Sequence, residues 1–297
     1  MTVSDGVGHR IVPSKEHDVT QRTWFITGVN SGFGRRMTEQ LLERGDRVFG
    51  TVRRPGSVDD LTAKYGDTFR VDHLDVTDTP AVKEVVTRAF TEVGRIDVIV
   101  NNAGYGLFGA AEEVTDEQIV RILDTNLVGS IQVTRAALPH LRAQGGGRII
   151  QVSTYGGQAT NPGACMYHAS KWGIEGFMES TAKDVAPFNI GVTIVEPGGA
   201  RTEFRYSSLQ MATPMPEYDT SPAAMTRGAQ DRSRPSLGDP GLMATRIIDS
   251  VEQSPAPRRL VLGSDSYRFL QAALSERLAE VEAQRDTAGQ SDITEED

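Results

Sequence analysis

The chain has 297 residues and a formal net charge of −9, with 31 Lys and Arg against 40 Asp and Glu. That balance argues against a nucleic-acid binder and against a polybasic membrane anchor. A single cysteine, Cys165, excludes an intrachain disulfide and a cysteine-held metal, and no apolar run reaches the ~18 residues of a membrane span. Residues 1–21 are polar and aperiodic, lack the apolar core of a signal peptide, and read as a flexible arm. A soluble cytoplasmic protein is the expectation.

From Arg22 the pattern becomes regular. Thr23–Thr27 is a short apolar run ending in a glycine turn, and an amphipathic helix is predicted from about Phe33 to Arg44. Arg47–Val52 and Phe69–Leu74 read as strands, and Pro80–Val93 as a helix. Ile96–Val100 is a nearly continuous apolar run, as a strand buried on both faces should be. A long helical stretch, Asp116–Arg142, precedes strands Gly147–Val152 and Gly191–Val195, which flank a helix over Tyr167–Ala186. Strands alternating with helices predict βαβ units. The expected fold is one α/β domain over 22–285, with helices on both faces of a doubly wound, seven-stranded parallel sheet.

After Pro197 the character changes. Tyr206–Pro240 holds five of the 14 prolines and three of the eight methionines and shows no period. A long irregular stretch inside a compact domain suggests a substrate lid. Gly241–Val251 reads as a helix, Arg259–Leu262 as the seventh strand and Tyr267–Ala283 as the last helix. Arg258 and Arg259 read as a solvated pair. Ser275–Asp297 carries eight acids and two bases, and residues 286–297 read as a disordered acidic tail.

Two patterns carry chemistry. Thr27-Gly28-Val29-Asn30-Ser31-Gly32-Phe33-Gly34 lies between the first strand and the first helix. Glycines there let a backbone approach a pyrophosphate, and the helix start offers free N–H groups. Of seven tyrosines, only Tyr167 has a lysine four residues on, Lys171, on the same helical face. A nearby ammonium should lower a phenol's pKa and ready it for proton exchange.

These patterns, with Asn101-Asn102-Ala103-Gly104 after the fourth strand, Tyr167-His168-Ala169-Ser170-Lys171, and Pro197-Gly198 after the sixth, resemble the short-chain dehydrogenase/reductase family. The resemblance covers about Thr23–Thr202. Val152–Phe177 is most similar to the branch with 17β-hydroxysteroid and retinol dehydrogenases. The resemblance implies a Rossmann-type fold and an oxidoreductase interconverting a carbonyl and an alcohol on a small, apolar substrate. Tyr167 would be the acid/base, and Lys171 would also hold the nicotinamide ribose. Asn126 would anchor a proton path. The family's catalytic serine falls at Thr154, and Ser153 is the alternative, since neighbouring strand residues face opposite ways. A threonine hydroxyl offers the same donor and acceptor. Cys165 reads as a small residue lining the site.

For the cofactor, the resemblance implies contacts from Gly28, Asn30, Ser31, Gly32, Phe33 and Gly34. It adds Asp75, Val76, Asn102, Ala103 and Gly104, and then Tyr167, Lys171, Pro197, Gly198 and Thr202. The second strand ends in Val52, where a carboxylate would favour NAD(H); Arg53 follows, and can grip a 2′-phosphate. NADP(H) is therefore expected over NAD(H), with Arg54 or Arg35 as a second contact. No metal is expected. Partners should be small molecules and, as is usual in the family, further copies in a homodimer or homotetramer. The alternative is a dinucleotide sensor without turnover, favoured only by Thr154 in place of serine.

Overall fold

The computed structural model describes residues 21–233 and 236–293. The expected arm over 1–21 therefore lies, apart from Gln21, outside the described residues. Strand β1 (Thr23–Thr27) leads into helix α1 (Gly32–Glu43) and β2 (Arg47–Val52). Then come α2 (Asp59–Tyr65), β3 (Phe69–His73), α3 (Thr79–Val93), β4 (Val98–Asn101) and the short β5 (Gly106–Phe108). Helix α4 (Asp116–Leu123) passes through a widened π turn at Asp124–Val128 into α5 (Gly129–Ala143). β6 (Gly147–Val152), α6 (Cys165–Val185) and β7 (Ile190–Pro197) follow. The chain closes with β8 (Leu209–Met211), α7 (Pro240–Asp249), β9 (Arg259–Leu262) and α8 (Ser264–Glu282).

Seven strands form one sheet in the order β3-β2-β1-β4-β6-β7-β9, and every neighbouring pair is parallel. Alternation along the strands sorts the core into two layers. Trp24, Ile26, Val98, Val100, Ile150 and Val195 pack on one face with Met37 and Leu41 of α1 and Ile247 of α7. Phe25, Ile99, Ile149 and Ile194 pack on the other with Val86 of α3, Val133 of α5 and Ile174 of α6. This is the expected doubly wound α/β domain. Between β1 and β4 the strand order reverses, and a crevice opens there at the carboxyl ends of the strands.

Three expectations need correction. The stretch read as aperiodic contains β8, which pairs in parallel with β5. The acidic end forms a short helix at Arg285–Ala288 and a 3₁₀ turn at Gly289–Ser291; residues 294–297 lie outside the described residues. Arg259 is not solvated: β9 delivers its guanidinium to Glu175 and Glu179 of α6 and Glu196 of β7.

Candidate active site

At one end of the crevice the walls are backbone. The Thr27 hydroxyl accepts the N–H groups of Asn102 and Ala103, each at 3.0 Å. The Asn102 side-chain amide donates back to the carbonyls of Thr27 and Gly28, at 2.9 and 3.0 Å. The loops after β1 and β4 are thus locked side by side. Gly28 and Gly32 take φ of +74° and +55°, the left-handed region that favours glycine. Gly34 is required for another reason: a Cβ there would stand 2.2 Å from the Gly28 carbonyl oxygen. Ser31 precedes α1 without a side-chain bond to the helix, and no acid lies in the first turn. The N-terminus of α1 therefore keeps its N–H groups and partial positive charge for an anion. A pyrophosphate fits this cradle.

A cleft of about 720 Å³ runs from this cradle past Arg53 and Val76 to Tyr167. Gly28, Asn30, Ser31, Gly32 and Phe33 line its near end, with Asn102, Ala103 and Gly104 beside them. Pro197, Gly198 and Thr202 line the β7 side. Gly34 sits behind the turn, and Asp75 faces an adjoining shallow groove with Arg53 and Arg121. Arg54 is exposed, and Arg35 is committed to Glu39, at 2.7 Å, and to Asp60.

The polar floor is carried by β6 and α6. Thr154 and Lys171 are buried, and Tyr167 is half-buried between Phe108 and Phe204, whose ring centroids lie 6.1 and 6.2 Å from its own. The Thr154 hydroxyl is within reach of the Pro197 carbonyl, at 3.2 Å, and of the Tyr167 phenol. Ser153 faces the other way and donates to Glu175 at 2.5 Å. Of the two candidate hydroxyls, only that of Thr154 meets Tyr167. Lys171 Nζ donates to the Val152 carbonyl at 3.0 Å and lies 5.9 Å from the Tyr167 ring centroid. Asn126, in the π turn, stands behind this group. Its amide donates to the Tyr105 carbonyl at 2.8 Å and the Ser170 hydroxyl at 3.2 Å, and its Oδ1 accepts the Tyr105 N–H at 3.0 Å.

The spacing implied a phenol pulled down by Lys171. In this geometry burial wins and pushes Tyr167 well above its ordinary value, with the Thr154 hydrogen bond pulling the other way. Burial likewise brings Lys171 down to about 8, against the charge of Glu175.

The model of the family described as short chain dehydrogenase matches residues 22–212. The chain belongs to the short-chain dehydrogenase/reductase family. It is an oxidoreductase of the carbonyl and alcohol class, and its family binds a nicotinamide dinucleotide. Oxidoreductase BOA17 of Botryotinia fuckeliana is 36% identical over 250 residues, covering 84% of this chain and 91% of that protein. Retinol dehydrogenase 5 of Mus musculus is 38% identical over 182 residues, covering 60% of this chain and 56% of that one. A short-chain dehydrogenase structure from Streptomyces avermitilis superimposes with a TM-score of 0.86 at 36% identity, covering 92% of this chain and 99% of that one.

The far end of the dehydrogenase cleft holds residues that no motif marked. Tyr105, Phe108, Phe204 and Leu209 supply apolar walls. Tyr155 stacks on Phe269 at 4.9 Å and its hydroxyl accepts from Asn161 at 2.6 Å. Asp265 holds the Pro197-Gly198 loop through the Gly199 N–H at 2.8 Å. Cys165 is exposed at the start of α6 and does not line the cleft. The segment after Thr202 is held by an ion pair as well as by β8. Glu113, nearly fully buried, accepts the N–H groups of Ala110 and Met215 at 2.7 and 2.9 Å and pairs with Arg227 at 3.0 Å. Arg227 also donates to the Met215 carbonyl at 3.0 Å. Among the described residues, no helix is long and apolar enough to cross a membrane, and no group of three or more His, Cys, Asp or Glu could hold a metal.

Proposed function

We propose that the chain is an NADP(H)-dependent oxidoreductase that interconverts a carbonyl and an alcohol on a small, apolar substrate, with Tyr167 as the acid/base. The observation that carries this reading is the meeting of Tyr167, Thr154 and Lys171 on the floor of the cleft that begins at the glycine cradle. The cofactor supplies the hydride. Tyr167 gives its proton to the substrate carbonyl oxygen, and Thr154 donates a second hydrogen bond to that oxygen. Lys171 binds the nicotinamide ribose, and Asn126 anchors the path by which Tyr167 regains a proton. Tyr105, Phe108, Phe204 and Leu209 exclude water around an apolar substrate. Residues 206–240 serve as the substrate lid.

Arg53 selects the phosphorylated cofactor. It lines the cleft directly after β2, and Val52 stands where a carboxylate would repel a 2′-phosphate. A charge-assisted contact contributes roughly 1.5–3 kcal/mol, so the wild type should favour NADPH over NADH about ten- to a hundredfold. The test follows cofactor absorbance with a panel of ketones, aldehydes and diketones, comparing kcat/KM for NADPH and NADH in wild type and Arg53→Ala. Loss of the preference in the variant is expected; an unchanged ratio places the phosphate elsewhere. Tight NADPH binding with no consumption on any carbonyl favours a sensor instead. A homodimer or homotetramer in the cytoplasm belongs to the same reading, and a monomer in sedimentation velocity contradicts that assembly.

A further inference from the structure

Tyr167, Lys171 and Glu175 follow one another at four-residue steps along one face of α6. The chemistry above uses the first two. Glu175 is 2% exposed, and such burial of a carboxylate demands partners. It has two, Ser153 and Arg259. One carboxylate oxygen accepts the hydroxyl of Ser153, the residue after β6, at 2.5 Å, and the other accepts Arg259 of β9 at 2.5 Å. Arg259 also reaches Glu196 of β7 at 2.6 Å and Glu179 of α6 at 2.7 Å. Glu196 is bonded in turn by the side-chain amide of Gln158. The turn Tyr155–Gly157 runs so close that a Cβ on Gly157 would lie 1.8 Å from Glu175 Oε1.

This network sits directly behind the catalytic floor. Ser153 precedes Thr154 on the chain, so the bond to Glu175 sets the strand end from which Thr154 projects. The charges facing Glu175 are Lys171 and Glu179 on its own helix, Glu196 from β7 and Arg259 from β9. Three carboxyl groups share one guanidinium, and Glu175, when ionised, places its charge one helical turn from Lys171. We propose that Glu175 is a positioning residue for this site: it fixes the turn that carries Thr154 and keeps Lys171 an ammonium. The proposal rests on Lys171 being a cofactor-holding cation, as in the function above. Burial pushes Glu175 itself up to about 7, with Arg259 and Ser153 pulling it down. That value lies below the one for Lys171, lowered to about 8, so most of Glu175 is ionised at the Lys171 midpoint.

The test uses NADPH as the probe, with its affinity followed by fluorescence against pH on the full chain. In the wild type, affinity falls as pH rises through the Lys171 titration near 8. Lys171→Met removes that fall. Glu175→Gln keeps size and hydrogen bonding but loses the charge, and moves the midpoint down by about one pH unit. Glu175→Asp keeps the charge and restores the midpoint, which a merely structural role would not do. A wild-type midpoint in Glu175→Gln overturns the proposal and leaves the role of Lys171 standing. A wild-type profile matching that of Lys171→Met overturns the role of Lys171 and the proposal with it. If Glu175→Gln does not fold, Ser153→Ala carries the test: it frees one carboxylate bond and should move the midpoint the same way by less. An unmoved midpoint there overturns the proposal.

Discussion

At the glycine turn the cleft is walled by backbone, and at its far end by side chains brought in from a distant part of the chain. The turn uses positive φ at Gly28 and Gly32, a close approach at Gly34, and the uncapped start of α1. All of these come from eight consecutive residues and one partner loop. The far end needs Phe108 from β5, Leu209 from β8 and the Glu113–Arg227 pair, which joins residues 114 positions apart. A backbone cradle tolerates almost no substitution, because no rotamer can move a carbonyl aside. A side-chain wall can change residue by residue while the frame stays. One end thus suits a constant ligand, the other a variable one. The family match runs over 22–212 and so ends one residue after β8.

The sharpest way to break this contrast is Gly34→Ala. Its methyl group would have to displace the Gly28 carbonyl, and such overpacking costs about 1–3 kcal/mol, so NADPH affinity should fall about five- to 150-fold. Equilibrium titration with NADPH measures it. Affinity within a few-fold of wild type would show that the turn is not the cradle.

Thr154 lies where the two ends meet. Thr154→Val keeps the shape and removes the donor, so kcat should fall about a hundredfold, as for a lost oxyanion donor. Thr154→Ser keeps the hydroxyl and should stay within about threefold. Steady-state kinetics with one carbonyl substrate distinguishes them. A large loss in Thr154→Ser would assign the methyl group, rather than the hydroxyl, to the site.

Arg227→Met probes the variable end alone. It strands the buried Glu113 carboxylate and loosens the Met215 loop, so KM for the carbonyl should rise about tenfold. NADPH affinity should stay within about twofold. Equal losses in both would mean that the segment after Thr202 is not a separate substrate wall.

The same contrast explains what could be read from the amino acids. Buried parallel strands such as Val98–Asn101 are apolar but for the last residue, so the sheet was legible before its pairing was known. The family resemblance pointed to Thr154 and left Ser153 open; in the structure Ser153 turns to Glu175 and Thr154 to Tyr167. β5 and β8 were not legible: each has three residues, too few to show a period. Helix α2 was missed because only Leu61 in it is buried, which leaves no apolar stripe. Arg259 looked solvated because its partners lie 63 to 84 positions away, where no local pattern reaches. The upward shift of Tyr167 depends on enclosure by the cleft, and spacing to Lys171 says nothing of that.

Tyr167→Phe bears most directly on the central claim, because it removes one proton donor and leaves the ring between Phe108 and Phe204. NADPH affinity and single-turnover NADPH consumption should be measured side by side in wild type and variant. The account predicts affinity within a few-fold and hydride consumption slowed by roughly 10²–10⁴, the range for loss of a general acid. A variant that keeps more than about a tenth of the wild-type rate would show that the proton comes from elsewhere.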